Sequence, residues 1–380
     1  MTVFFYYHDL SGTGPVWFNP TWAHLSALKD SVDLSVLAMP PRSTQGAFGF
    51  APRVVRKVKG RLKKPGESAL CEQVLQDSDD HGANILLHYA LSANDVKAYA
   101  ALMPVSDKFT HQILYIKDTL QPHHLSTAEI SHYDLIACNC IDLARSFQLM
   151  HGVQTLYWPS HTDVLNFHST NDYRPIDLLV VGRRDESLHT PIHRHFNDPT
   201  RDRIFLDFVT KTQGDISIEH QFQLLMTTHA RSTAAFCFEP SDRERFSGRS
   251  PFLARWVHAW AAGCTVFGTR PIGAGAADQM NWDESMFDLP IDPQDAIHVI
   301  EATLNDPIAL RVRRKRNVIE ALRRHDTRNR LRALFLALGL ELPEKLEIEL
   351  SRLSRKVTEM EKQLSDPIRT KQKVQKHYDN

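Results

Sequence analysis

Long apolar runs are missing from the 380-residue chain: none approaches the ~20 residues a membrane-spanning helix needs. Net charge is missing too, since 45 Lys and Arg balance 45 Asp and Glu, so no global field steers the chain to nucleic acid. Cysteine is scarce, with five residues at 71, 138, 140, 237 and 264 whose spacing builds neither a disulfide nor a metal framework. Cys138 and Cys140 follow the apolar Leu135-Ile-Ala and read as buried free thiols. The opening TVFFYYHD is too short for a secretion signal and lacks its basic flank, so it reads as a first strand. A cytoplasmic location is the expectation. What the chain does have is the composition of a soluble globular protein, 42% hydrophobic and 24% charged, at a length suited to two domains. Its 20 histidines make any single one weak evidence for a site.

Strand and helix patterns alternate from the start. Strands are expected at 2–7, 32–39, 84–89, 112–117, 133–138 and 153–158, with helices near 21–29, 67–76, 95–102 and 141–150 between them. After a polar connection at 166–175, a buried strand at 176–182 opens a second series. Strands at 204–208 and 234–238 follow, with helices near 191–196 and 220–228, then helices at 292–304 and 307–325. Strands apolar on both faces and separated by helices predict parallel βαβ units. The fold class is therefore α/β, with two Rossmann-like doubly wound domains facing across a cleft: 1–168 and 176–335. A helix over 343–365 carries apolar residues at Leu346, Leu350, Leu353, Val357, Met360 and Leu364, the four-three alternation of a heptad seam. Two uses are open for it, homodimerisation through 346–364 or packing on the chain's own body. Residues 366–380 read as a frayed tail.

The stretch SGRSPFLARWVHAWAAGCTVFGTRP, 247–271, reads as loop, helix, turn and strand. Ser250 is placed as N-cap with Pro251 at the first helical position, the helix as 252–262, and Gly263 as its terminator. A Ser/Gly loop feeding a helix start collects unpaired backbone N–H groups, a common cradle for phosphate. Arg249 and Arg255 stand beside it, and a guanidinium fork suits a diphosphate. Any loop–helix–strand unit of an α/β protein has this outline, so the stretch does not decide by itself.

Four matches, in order, make the chain resemble the GT-B-fold glycosyltransferases, particularly the retaining nucleotide-sugar enzymes, over residues 1–335. Pro159, Asp163 and Phe167 in PSHTDVLNF fall in register with a motif closing the first domain, with Ser160-His161 where Asn-Gly is usual. LLVVGRR, 178–184, resembles the strand ending in Gly-Arg that opens the second. RWVHAWAAG, 255–263, is similar to an arginine-led helix, and DLPIDPQDAIHVIEATLNDP, 288–307, to a closing helix. The resemblance implies transfer of a sugar from a nucleotide-sugar donor to a glycan, lipid-linked or protein acceptor. It implies no metal cofactor, the leaving diphosphate being held by cationic groups and a helix N-terminus. Donor-binding candidates are Gly12, Gly14, Gly182, Arg183, Arg184, Gly248, Arg249, Ser250, Arg255 and His258. Catalytic candidates are His8, after the first strand, a general base if the reaction inverts, and His88 at the end of ILLHY, which resembles a cleft histidine of retaining members. One departure is plain: the glutamate of the arginine-led helix is His258, and a second family glutamate is Ser250. A non-catalytic nucleotide-sugar-binding scaffold is therefore the alternative reading, and a sugar-nucleotide epimerase a third. Seven cations without an acid over 53–64 offer either a peripheral contact with anionic lipid at the inner membrane face or a solvated loop.

Overall fold

The computed structural model describes residues 1–7, 19–38, 65–79, 82–117, 120–182, 184–208, 217–239 and 246–365. His8, Gly12, Gly14, Arg183, the basic stretch 53–64 and the tail 366–380 lie outside the described residues. The first lobe runs β1 (Thr2–Tyr7), α1 (Asn19–Ser31), β2 (Asp33–Ala38), α2 (Pro65–Asp77), β3 (Asn84–Ala90), α3 (Ala93–Lys97), β4 (His111–Ile116), α4 (Thr127–Ile130), β5 (Leu135–Cys138), α5 (Ile141–His151) and β6 (Thr155–Tyr157). A single-turn helix, α6 (Val164–Phe167), lies in the connection. The second lobe follows with β7 (Ile176–Val181), α7 (Glu186–Phe196), β8 (Phe205–Phe208), α8 (Ile218–Ala230), β9 (Ser232–Cys237), α9 (Ala254–Ala261), β10 (Thr265–Gly268), β11 (Phe287–Asp288), α10 (Pro293–Leu304) and α11 (Pro307–His325). Two helices close the described chain: α12 (Thr327–Ala337) and α13 (Glu344–Ser365).

Both sheets are parallel throughout, in the orders β2-β1-β3-β4-β5-β6 and β8-β7-β9-β10-β11. Their central strands are apolar on both faces because both faces are covered. In β1, Phe4 and Tyr6 enter a cluster with α2 and α5, while Val3, Phe5 and Tyr7 point the other way, toward α1 and α12. The second sheet divides likewise: Leu178 and Val180 of β7 pack on α7 and α10, and Ala235 and Cys237 of β9 on α8, α9 and α11. All five cysteines are free and buried.

The end of the second lobe departs from expectation. α12, placed by sequence in the second domain, packs through Leu331, Leu334 and Phe335 on the first sheet beside Val3, Phe5 and Ile85. The heptad seam of α13 is not free for a second copy. Leu346 is buried in the first-lobe cluster, whereas Leu353, Val357 and Met360 are buried against Phe222, Val318 and Leu322 of the second. Four-three spacing is the signature of a helix with one apolar stripe, and here the chain's own α1 and α11 fill it.

The two crossings between lobes run side by side. Thr162 pairs with Asp326 in a parallel bridge, with Thr162 N donating to His325 O at 3.1 Å and Thr327 N to Thr162 O at 2.9 Å. Arg328, fully buried, clamps them: its guanidinium lies 2.7 Å from Asp163, 3.2 Å from Asp326, 2.8 Å from Glu349 on α13 and 3.2 Å from Asp30 on α1. Burial pushes the Asp326 carboxyl up to about 6; Arg328 pulls it down and Asp163 pushes it up. Burial disfavours the Arg328 cation, but the surrounding carboxylates, Asp326 and Asp163 first, hold it charged.

Arg328→Met strands these buried carboxylates and should cost about 3–5 kcal/mol at pH 7. Without the cation the Asp326 carboxyl, already raised by burial, rises further above the unfolded ~3.9, so the folded state binds an extra proton. Stability of the variant then recovers as pH falls. Urea unfolding should show a smaller deficit at pH 5 than at pH 7; an equal deficit would contradict the clamp. Leu353→Asp should lower the melting temperature without altering a monomer–dimer equilibrium in light scattering.

Candidate active site

Parallel sheets of this kind take ligands outside the carboxyl ends of their strands, at the point where strand order reverses. In the second sheet that point lies between β7 and β9. Gly182, directly after β7, adopts φ +84°, a left-handed conformation that glycine enters without a Cβ clash. Next to it, Arg184 is not free for a ligand. Its Nη2 lies 2.7 Å from Asp207 Oδ1 of β8, and His189 Nε2 sits 3.3 Å from the other oxygen.

The turn 246–250 is tight: Arg249 N donates to Phe246 O at 3.1 Å, and Ser247 and Gly248 both have positive φ. Helix α9 begins two residues later than the sequence suggests. Its N-cap is Leu253, with no side-chain cap, and Ser250 has another use. Buried Ser250 donates from Oγ to Glu239 Oε2 at 2.7 Å and accepts from Ile272 N at 3.1 Å. Its carbonyl accepts from Gly273 N at 2.9 Å, a contact so close that a Cβ on Gly273 would sit 2.4 Å from that oxygen. Serine at 250 thus ties the carboxyl end of β9 to the loops on either side of α9 and β10.

Arg255 occupies the first turn of α9, and its Nη1 donates to Phe238 O, one residue past β9, at 3.1 Å. The start of α9 therefore presents backbone N–H groups, the positive end of its dipole and one guanidinium at the same strand ends. Arg249 reaches across to the first lobe, where Nη1 donates to Gln121 Oε1 and Nη2 to Ser146 Oγ at 3.4 Å. Ser160 Oγ donates to Phe252 O at 3.0 Å and makes a second link between the connection and this loop.

Two expected site residues are inward-facing. His88 shares the register face of Tyr6 and Leu114 in β3, is fully buried, and its Nδ1 is 2.7 Å from Tyr133 Oη. Strand alternation sends it into the core while its neighbours Leu87 and Tyr89 face the opposite side. It is therefore not a cleft base. His258, one turn into α9, is buried against Phe222, with ring centroids 5.6 Å apart. Burial, then His229 and Lys117, lower its pKa to about 3, so the imidazole is neutral. It faces the packed seam between lobes and offers no carboxylate substitute to a ligand.

Sequence reasoning missed Glu239, although a carboxylate just past a second-lobe strand, in FCFEP, was there to be read. Lys117 was also missed; just past β4, it lies 5.7 Å from the Tyr89 ring and 5.5 Å from Tyr115. An Asp-x-Asp pair, Asp77 and Asp79, was overlooked as well. It sits at the opposite, amino ends of the strands: Asp77 accepts from Ser35 Oγ at 2.7 Å, and Asp79 lies 3.4 Å from the Met1 amine. Among the described residues no cluster of His, Cys, Asp or Glu has metal-binding geometry.

This architecture recurs in solved proteins. Anabaena HepE, in complex with UDP and glucose, superposes with a TM-score of 0.50 over 89% of this chain and 99% of its own, at 14% identity. An alpha-glucosyltransferase in complex with UDP-glucose and DNA containing an abasic site gives 0.55 over 88% and 98%, at 8% identity. Both are GT-B-type glycosyltransferases. The fold is GT-B. No family model matches the chain, and no curated protein sequence does. At these identities the likeness fixes the GT-B scaffold, in which α12 and α13 return across the lobes, and leaves the chemistry to this chain's own residues.

Ser250→Ala should cost about 1–3 kcal/mol by leaving buried partners unsatisfied, read by urea unfolding. His88→Ala should destabilise by a similar amount while leaving nucleotide binding unchanged; a selective loss of binding would return His88 to the cleft.

Proposed function

We propose that the chain is a glycosyltransferase that moves a sugar from a nucleotide-sugar donor to a glycan, lipid-linked or protein acceptor. The observation that carries this reading is the meeting of Arg255, the start of α9 and Glu239 at the switch point of the second sheet. Fold supports it: the HepE and alpha-glucosyltransferase structures hold UDP and UDP-glucose. Negative charge grows on the leaving diphosphate as the glycosidic bond breaks, so donors aimed there stabilise the transition state more than the ground state. In this reading Arg255 and the α9 amides take that role, with Arg183, outside the described residues, as a further cation. On the same reading Glu239 supplies carboxylate acceptors for donor hydroxyls, where the neutral His258 imidazole has a single acceptor nitrogen and is buried. Arg249 spans the lobes and couples their closure to the donor site. The reaction is read as metal-independent and retaining, as the resemblance implies; His8 would be the base only under inversion. The balanced charge of the chain argues against a DNA acceptor.

Burial of His258 where the resemblance expects a carboxylate favours one other reading, a scaffold that binds the donor without turnover. A panel of nucleotide sugars in thermal denaturation, followed by donor-hydrolysis and transfer assays, separates the two. A donor at 100 times its Kd should stabilise the protein by about 2.7 kcal/mol, and Arg255→Ala should abolish the shift. Shift without turnover supports the scaffold; no shift with any donor defeats both. The anomeric configuration of the product, by NMR, tests retention.

A further inference from the structure

A cavity of about 420 Å³ opens where the chain returns to the first lobe. It is lined by Arg323 and Arg324 at the end of α11, by Asn329, Arg330 and Arg332 on α12, and by Gln279 of the second lobe. None of Gly182, Arg184, Glu239, Arg249, Ser250 or Arg255 lines it, so it is separate from the site above. Because α12 packs on the first sheet and Gln279 belongs to the second lobe, whatever fills the cavity touches both.

The arginines are not equivalent. Arg323 is 3.0 Å from Glu320 and also pairs with Glu361, and Arg324 is 2.6 Å from Glu320; those two charges are balanced inside the protein. Arg330 is different. Its Nη2 reaches neutral groups, Gln279 Oε1 at 2.9 Å and His325 Nδ1 at 3.5 Å, and its buried Nε has no partner. No carboxylate lies within ion-pair distance of Arg330 or Arg332 among the described residues. Asp278 stands at the rim and is the one acid lining the cavity; its carbonyl accepts from Arg324 Nη1 at 3.4 Å. A guanidinium taken from water without a counter-charge is expensive, and proteins place such groups where a ligand completes the pair.

We propose that this cavity binds a phosphomonoester group. Two guanidinium groups without carboxylate partners match the −1.5 to −2 charge of a phosphomonoester near neutral pH. Their planar forks suit bidentate contact with its oxygens, and Asn329 and Gln279 add neutral hydrogen-bonding groups. Ala333 and Leu336 complete the lining and leave an apolar flank beside the charged groups. The group can belong to a soluble phosphate ester or to a lipid headgroup. Bound there, it bridges α12 to the second lobe and tightens the crossing that Arg328 clamps.

The test uses the full chain. Thermal denaturation is followed with inorganic phosphate, glucose 6-phosphate and chloride at matched ionic strength. Co-sedimentation uses phosphatidylcholine vesicles with and without phosphatidic acid. The proposal expects phosphate or its ester to raise the melting temperature beyond chloride, or phosphatidic acid to drive sedimentation. The first result identifies a soluble source and the second a lipid one. Exposed Arg332→Gln, which should fold normally, is expected to weaken the response at least about tenfold in apparent affinity; Arg330→Gln should do the same. Arg255→Ala should leave it intact. Equal effects of chloride and phosphate with no vesicle response, an undiminished response in Arg332→Gln, or a response lost in Arg255→Ala would each overturn it.

Discussion

One buried guanidinium holds the two-lobed molecule in register. Arg328 reads no ligand; it gathers Asp163 from the first crossing, Asp326 from the second, Glu349 from α13 and Asp30 from α1 into one network. Each of these elements is anchored elsewhere by apolar packing, yet none is adjacent to the others in sequence. Burying charge is costly, and the network is tolerable only because every partner is present together. Backbone amides of Asn166, Leu165 and Arg328 donate to the Asp163 and Asp326 carboxylates and fix them as well as the cation. The cleft geometry inherits that arrangement: Ser160, three residues before Asp163, holds the loop that leads into α9.

The sheet architecture was legible in the sequence because buried parallel strands write themselves as uninterrupted apolar runs. TVFFYY and NILLHYA are nearly fully buried and need no partner to be recognised. Helix limits were less legible. Pro191 suggested a start for α7, but Asp185 caps that helix six residues earlier, so the proline falls inside it. Ser250 and Pro251 had the chemistry of a helix start, yet the serine hydroxyl was taken by Glu239, a tertiary partner no local pattern announces. The same limit applies to α13. A heptad stripe states that one face is apolar and says nothing of what covers it; here the cover was α11, two helices back, and α1, from the other end of the chain.

Site residues divide along the same line. Gly182, Gly248 and Arg249 lie in loops of the second lobe, and Arg255 in the first turn of α9. His88 and His258 failed because the face of a strand or helix is decided by packing partners: Tyr133 claims one and Phe222 flanks the other. Asp163 was recognised as part of a motif, but its use, countering a residue 165 positions onward, needed coordinates.

The order of the chain imposes a schedule on this design. Asp163 is made early, whereas Arg328 and Glu349 emerge 349 − 163 = 186 residues later at the furthest. At ~5–20 residues per second, the first lobe waits on the order of 10–40 s on the ribosome with its acidic hinge uncompensated. Closing the strap of α13 over both lobes is thus a late event of biogenesis, and a chaperone or protease meeting the nascent protein would find the hinge still open.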